Sequence, residues 1–294
     1  MLFKEHYKVK DKPVISFEIF PPKTDEGLKK LRDKTIPELI DLNPSFITVT
    51  YGAMGTSRDK TIDIASFIKN DLSTETACHL TCVGSTKQDI DQILQTITNN
   101  NIRNIVAIRG DTPQDGTALK NNRESYKYAN ELVSHIREFE DTNHLEFGIA
   151  VAGYPEKHLE AATMETDIEN LKNKINAGSD IIITQLFFIN KYFYDFLETA
   201  NTQEIDIPII PGLMPILSSK QIQRISSMCG SKIPDYLKDD LDKASGDDKK
   251  AKKIGIDQCI IQANDLLNSG VAGIHFYVLN HSEHIKEIIN QLDI

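Results

Sequence analysis

No stretch of the sequence is long and apolar enough to span a membrane, and its opening segment, MLFKEHYKVKDK, is too charged for a secretory signal. Basic residues are not in excess: 33 Lys and Arg against 43 Asp and Glu give a formal charge of −10. That balance argues against nucleic acid or an anionic membrane as partner, because both need basic patches; small anions need only a local cationic pocket and stay allowed. Cysteine is scarce. Cys78 and Cys82 have no matching second pair, and Cys229 and Cys259 stand alone, so buried free thiols are expected rather than a zinc site or a disulfide framework. A cytoplasmic protein is the simplest expectation. Also missing are a G-x-G-x-x-G opening a helix and a G-x-x-x-x-G-K-[ST], which removes a Rossmann site and a phosphate loop. The first apolar run has no His-x-His pair, which disfavours a metal-dependent amidohydrolase. No lysine ends an apolar strand core as a Schiff-base aldolase requires.

What the chain does have is repetition of one kind of unit. Eight short apolar runs, each followed by a helical stretch, read VISFEIF (14–20), FITVTY (46–51), ACHLTCV (77–83), NIVAIRG (104–110), FGIAVAGY (147–154), IIITQLFF (181–188), PIIPGLMP (208–215) and GIHFYVLN (273–280). Their nearly continuous apolar character suits strands covered on both faces. Eight such units predict a single (β/α)8 TIM barrel over residues 1–294, a length that α/β barrels reach as one domain. A helix is predicted from Lys87 to about Asn99, capped by Ser85-Thr86 and burying Ile90, Ile93 and Leu94. Another is predicted over 158–177, with Ala161, Met164, Ile168, Leu171 and Ile175 as its buried stripe and Gly178 as its stop. The seventh and eighth runs are joined by extra helices, one starting near Ser218-Ser219 and one reaching about Leu267. The charged segment 239–253 between them reads as a solvated helix–loop–helix surface.

Barrel active sites lie at the C-terminal ends of the strands. Those ends carry Thr50, Tyr51, His79, Arg109, Asp111, Tyr154, Gln185 and Tyr277. Glu18 sits inside the first strand, sharing a face with Ser16 and Phe20. A carboxylate pointing inward among apolar groups is expected to have a raised pKa, which suits a general acid; pairing with a barrel cation as structural glue is the alternative. Arg109-Gly110-Asp111 would put a cation and an anion beside a glycine that lets the backbone approach a ligand, or would be a plain ion pair. Asp167, Asn170 and Lys174 form one polar helix stripe bordering the buried one, either a ligand groove or a solvated flank. His79 interrupts a strand and could be hydrogen-bonded structure, while His158 is read as opening a helix.

Taken in order, SFEIFPPKT, FITVTYGA, HLTC, NIVAIRGD, AGYPEKH, ITQLFF, IIPGLMP and HFYVLN resemble the bacterial methylenetetrahydrofolate reductase family over about residues 14–281. The resemblance implies a barrel with noncovalent FAD, NADH or NADPH as co-substrate, methylenetetrahydrofolate as substrate, a homo-oligomer, and no carboxy-terminal regulatory domain. It implies Glu18 as proton donor and Asp111 as the group that stabilises the cationic intermediate. It places Tyr51, Ala53, His79, Arg109, Gly110, Asp111, Tyr128, Ala129, Tyr154, His158, Ala161, Asp167, Asn170 and Lys174 at FAD positions. Thr50 and Gln185 fall at nicotinamide-nucleotide positions, and Asp111, Gln185, Gln221 and His281 at folate positions. The chain departs from close relatives at His281, where they often have Arg, and at Ile225, where they can have an aromatic residue. Rival readings are another barrel flavoenzyme of the proline-dehydrogenase kind, a folate- or flavin-binding protein without turnover, and a non-flavin phosphate-binding barrel.

Overall fold

The computed structural model describes residues 1–8, 12–51, 58–110 and 125–294. Its strands are β1 (Val14–Ile19), β2 (Phe46–Val49), β3 (Thr76–Thr81), β4 (Asn104–Ile108), β5 (Gly148–Gly153), β6 (Ile181–Thr184), β7 (Ile209–Ile210), β8 (Gly212–Leu213) and β9 (Gly273–Tyr277). They form one sheet in the order β7-β6-β5-β4-β3-β2-β1-β9-β8 with every neighbouring pair parallel. β7 and β8 are consecutive in the chain, so the two edges of this sheet are two halves of one barrel strand and the barrel closes there.

The predicted seventh strand is thus split, and Pro211 is the reason. Proline has no N–H to give to a ladder. Its carbonyl still accepts from the His275 N–H (3.0 Å), and the next N–H, of Gly212, turns to the Thr184 hydroxyl (3.0 Å). A Cβ on Gly212 would lie 2.3 Å from the Thr184 carbonyl oxygen and 2.7 Å from the Tyr277 ring, so only glycine lets the backbone pass.

Helices α1 (Phe3–His6), α2 (Asp25–Lys30), α3 (Ile36–Ile40), α4 (Arg58–Ser66), α5 (Lys87–Asn99), α6 (Ala129–Asn143), α7 (Met164–Asn176), α8 (Asn190–Thr202), α9 (Ser219–Cys229), α10 (Asp235–Lys243), α11 (Asp248–Asn268) and α12 (Ser282–Ile289) accompany the strands. α5 has the predicted bounds: the Thr86 hydroxyl accepts from Asp89 N–H, Asp89 answers to Thr86 N–H, and Ile90, Ile93, Leu94 and Ile97 are buried. The charged segment forms α10, a turn and the start of α11, as expected. α7 begins later than predicted. Thr163, not a residue near 158, caps it by accepting from Thr166 N–H, and Lys157 (φ +73°) turns the chain left-handed before it. The Lys157 ammonium donates to the carbonyls of His158 and Ala161, so those carbonyls are satisfied without a helix. Among the described residues no helix is long and apolar enough to cross a membrane.

Two apolar shells hold the barrel. Outward residues such as Phe17, Ile47, Leu80, Ile105, Val151 and Phe276 pack under the helices. Inward residues Val14, Phe46, Ala77, Val106, Ala150, Ile181, Ile183 and Ile210 fill the N-terminal half, and Phe3 of α1 closes that end like a plug. Asn104 holds the plug by accepting from Phe3 N–H (2.8 Å) and donating to the Met1 carbonyl (2.9 Å). Toward the other end the interior turns polar, with Ser16, Thr48, His79 and His275 all buried. The plug is thus core. Phe3→Ala should cost about 3–5 kcal/mol, read as a lower urea midpoint at unchanged slope; a loss below about 1 kcal/mol would show that the plug does not stabilise the barrel.

Candidate active site

The alternation of β1 turns Ser16 and Glu18 inward, and the parallel register puts Thr48 of β2 opposite Glu18 and His275 of β9 opposite Ser16. Three side chains meet at one oxygen, Glu18 Oε2. The Thr48 hydroxyl donates to it at 3.2 Å, His275 Nε2 lies at 3.3 Å, and His79 Nε2 of β3 lies at 3.0 Å. The His79 contact is at ion-pair distance but off the direction of a hydrogen bond. Ser16 Oγ stands 2.8 Å from His275 Nδ1; with Ser16 donating, Nε2 carries the proton that faces Glu18. Glu18 Oε1 has no protein partner among the described residues, and 16% of the side chain stays open to solvent.

These neighbours overturn one expectation. Glu18 is inward as predicted, but imidazoles rather than apolar groups surround it. Burial by itself pushes its pKa up; the His79 charge and the contacts to His275 and His79 more than offset this and hold the carboxyl well below the usual carboxylate range. Tyr277, beside Glu18 in the register, donates to the Thr184 carbonyl at 2.6 Å, and burial followed by the Glu18 charge raises its pKa well above the ordinary tyrosine value.

A second cluster forms where β4 and β5 end. Arg109 makes a bidentate pair with Glu160 at 2.5 and 2.6 Å, which raises the guanidinium pKa. Gly110 follows with φ +86°, where a Cβ would come within 3.0 Å of Thr81. Tyr154 and His158 meet edge to face at 4.7 Å, and the Lys174 ammonium lies 5.6 Å from the Tyr154 ring while donating to the Ala152 carbonyl. Asp167 is buried on α7 and accepts from His158 N–H at 3.1 Å, and Ala161 is buried nearby in the loop rather than on the helix. Burial pushes the Lys174 pKa down to about 8, against the pull of Asp167. The α7 stripe is therefore mixed: Asp167 and Lys174 face the barrel end, while Asn170 is exposed.

The remaining predicted residues are placed less closely. Thr50 and Tyr51 follow β2, and the Thr50 carbonyl accepts from Thr61 at 2.8 Å. Gln185 follows β6, its amide oxygen accepting from Leu186 N–H at 2.9 Å. Tyr128 is exposed as the N-cap of α6, with Ala129 its first residue. Gln221 lies in the first turn of α9, accepting from Leu217 N–H at 3.1 Å, and Ile225 on the same helix packs against the apolar group around Leu186 and Met214. His281 is the N-cap of α12. Ala53 and Asp111 lie outside the described residues. The sequence reading missed His275, Thr48 and Glu160. Two polar residues at alternate positions of β9, His275 and Tyr277, were the available sign that the face of Glu18 continues across the neighbouring strand.

Fold and site together define an α/β-barrel protein whose buried carboxylate, imidazoles and cations collect at the C-terminal ends of its strands. A family model described as methylenetetrahydrofolate reductase matches residues 2–293, and the chain belongs to that family. It is 36% identical over 280 residues to the 5,10-methylenetetrahydrofolate reductase of Escherichia coli, covering 95% of this chain and 90% of that protein. It is 38% identical over 275 residues to methylenetetrahydrofolate reductase (NADH) 1 of Arabidopsis thaliana, covering 90% of this chain. The chain spans about half the length of the plant relatives it matches, 46% of the Arabidopsis protein and 48% of a Zea mays one. Among solved structures, an uncharacterized Clostridium thermocellum protein described as binding two copies of 5-methyl-5,6,7,8-tetrahydrofolic acid superposes with a TM-score of 0.64 at 18% identity, covering 99% of this chain and 97% of that one. A 2,3-dimethylmalate lyase superposes at 0.54 with 8% identity. Both likenesses are of fold.

An enclosed ammonium is costly, so Lys174 should be a site residue held at the expense of stability. Lys174→Met should raise unfolding free energy at pH 7 by about 2 kcal/mol, the ~3 kcal/mol of the pKa shift less about 1 for the lost hydrogen bond. The sign follows from proton binding: between about pH 8 and 10.5 the unfolded chain holds the extra proton, so wild-type stability climbs and the variant's advantage vanishes. Urea unfolding across that range checks it. A less stable variant at every pH would contradict the assignment.

Proposed function

We propose that the protein is a cytoplasmic, homo-oligomeric FAD-dependent oxidoreductase that reduces 5,10-methylenetetrahydrofolate to 5-methyltetrahydrofolate with NADH or NADPH, the two substrates taking turns at one site. Family membership supports the reading, and one observation carries it: a carboxylate enclosed by two imidazoles through one oxygen, with the other oxygen unpaired among the described residues. The names of the plant relatives favour NADH. The four cysteines are free, and burial pushes Cys78, Cys82 and Cys259 up to about 12, 11 and 12, which fits a reducing compartment with no thiol chemistry.

The residues at the ends of β4 and β5 have the chemistry a flavin dinucleotide asks for. Arg109 and Lys174 supply cations for a diphosphate, Tyr154 and His158 supply ring faces, and Gly110 lets backbone approach closely. Tyr51, Ala53, His79, Asp111, Tyr128, Ala129, Ala161, Asp167 and Asn170 complete the proposed cofactor set. Bound FAD would supply the two-electron carrier between the substrates. The chain's own part is proton transfer and placement. The Glu18 group donates a proton to the departing nitrogen of the folate's five-membered ring, the C–N bond opens, and an iminium cation remains to accept a hydride. In this scheme bound ligands exclude the remaining solvent from Glu18, and that desolvation raises the pKa of a carboxyl held low in the unliganded site. Asp111 stabilises the cation electrostatically. Gln185, an amide able to donate and accept, serves both nicotinamide and folate; Thr50 adds to the former, Gln221 and His281 to the latter.

The purified protein should be yellow. Anaerobic NADH should bleach the flavin band, and methylenetetrahydrofolate should then restore it. A band that bleaches but does not return with the folate would remove the substrate from the account, and no band after added FAD would remove the flavin.

A further inference from the structure

His281, Glu283 and His284 bring one nitrogen, one carboxylate oxygen and another nitrogen to within 4.8 Å of one another just beyond β9. His281 Nδ1 lies 3.6 Å and His284 Nε2 3.7 Å from the same Glu283 oxygen. Those separations exceed a hydrogen bond, and they approach the about 3.3 Å that separates ligands around a tetrahedral zinc with bonds near 2.0–2.1 Å. The second observation is His284 itself. Its side chain is only 6% exposed, and among the described residues neither ring nitrogen has a hydrogen-bond partner. A buried imidazole left without partners is uncommon, and a metal ion on Nε2 would satisfy the nitrogen that faces Glu283.

The segment is fixed from both sides. Leu279 and Asn280 take left-handed conformations (φ +54° and +59°), and the Asn280 amide clamps the Phe20 backbone in both directions at 3.1 and 2.8 Å. The Ser282 hydroxyl donates to Glu38 at 2.5 Å. The rings of His281 and His284 are stacked, 5.3 Å apart at 25°. Ligands are thus held near their final places before an ion arrives. Two nitrogens and one carboxylate are a donor set for a borderline-soft divalent ion, and three protein ligands leave a fourth position open to water or an anion. The positive end of α12 and nearby Lys252 act against a cation, and Glu283 supplies the compensating charge.

We propose that His281, Glu283 and His284 form a three-ligand site for a divalent transition ion of the zinc class, with one coordination position open at the C-terminal end of the barrel. Its test uses the metal alone on untagged protein without substrate, so its failure is separate from any failure of the proposed reaction. Zinc calorimetry should show one ion per chain, and cobalt(II) should give the intense visible absorption of a tetrahedral complex. Glu283→Gln and His281→Asn, both at exposed or half-exposed positions, should each weaken zinc at least about tenfold, while Lys252→Gln should tighten it. Absence of binding, a weak octahedral cobalt spectrum, or affinity unchanged in both ligand variants would overturn the site, the last by placing the ion elsewhere on the acidic surface.

Discussion

The barrel is organised around a carboxylate that its own strands enclose. Glu18 can be buried only because parallel pairing sets Thr48, His275 and, one strand further, His79 against it. An isolated ionised carboxyl in that position would be far too costly, and a single neighbour would leave much of the cost in place. The fold meets this by gathering polar interior residues around Glu18, above a mostly apolar half closed by Phe3. The split of the seventh strand at Pro211 belongs to the same arrangement. It frees Thr184 to hold Gly212 and Tyr277, and Tyr277 stands next to Glu18.

The barrel's open end then divides by chemistry. β1, β2, β3 and β9 carry the carboxylate with its hydroxyl and imidazole neighbours, while β4, β5 and α7 carry cations and rings. The two regions oppose each other electrostatically in their unliganded forms. Glu18 is held ionised by imidazoles, and Lys174 is held in surroundings that disfavour its charge. A dinucleotide bearing phosphates beside Lys174 would relieve that strain, which is the physical reason to place a cofactor there.

Much of this was legible in the chain. The eight apolar runs gave the barrel, and the caps at Thr86 and Ser218 gave both bounds of α5 and the start of α9, because hydrophobic period and capping act locally. Glu18 stood out because a charged residue in an apolar strand has few bland explanations. Its partners did not. His275 is 257 residues away in sequence, and only strand register brings it to the carboxylate. The sign of the Glu18 pKa shift was misread for that reason: burial is visible in a strand pattern, whereas a compensating imidazole is not. The start of α7 was misplaced because apolar spacing continues through Ala161, while the cap at Thr163 and the left-handed Lys157 decide where helix begins. The His281–Glu283–His284 cluster is close in sequence, yet its meaning depends on the burial of His284, which spacing alone does not show.

The central claim is that Glu18 is the acid of the folate half-reaction and is dispensable for the nicotinamide half. Glu18→Gln, followed anaerobically in a stopped-flow instrument, separates the two. Flavin reduction by NADH should stay near the wild-type rate, while reoxidation by methylenetetrahydrofolate should slow by a factor on the order of 10²–10⁴. Reoxidation within a few-fold of wild type would contradict the claim, and equal slowing of both halves would show that the residue shapes the site without supplying the proton.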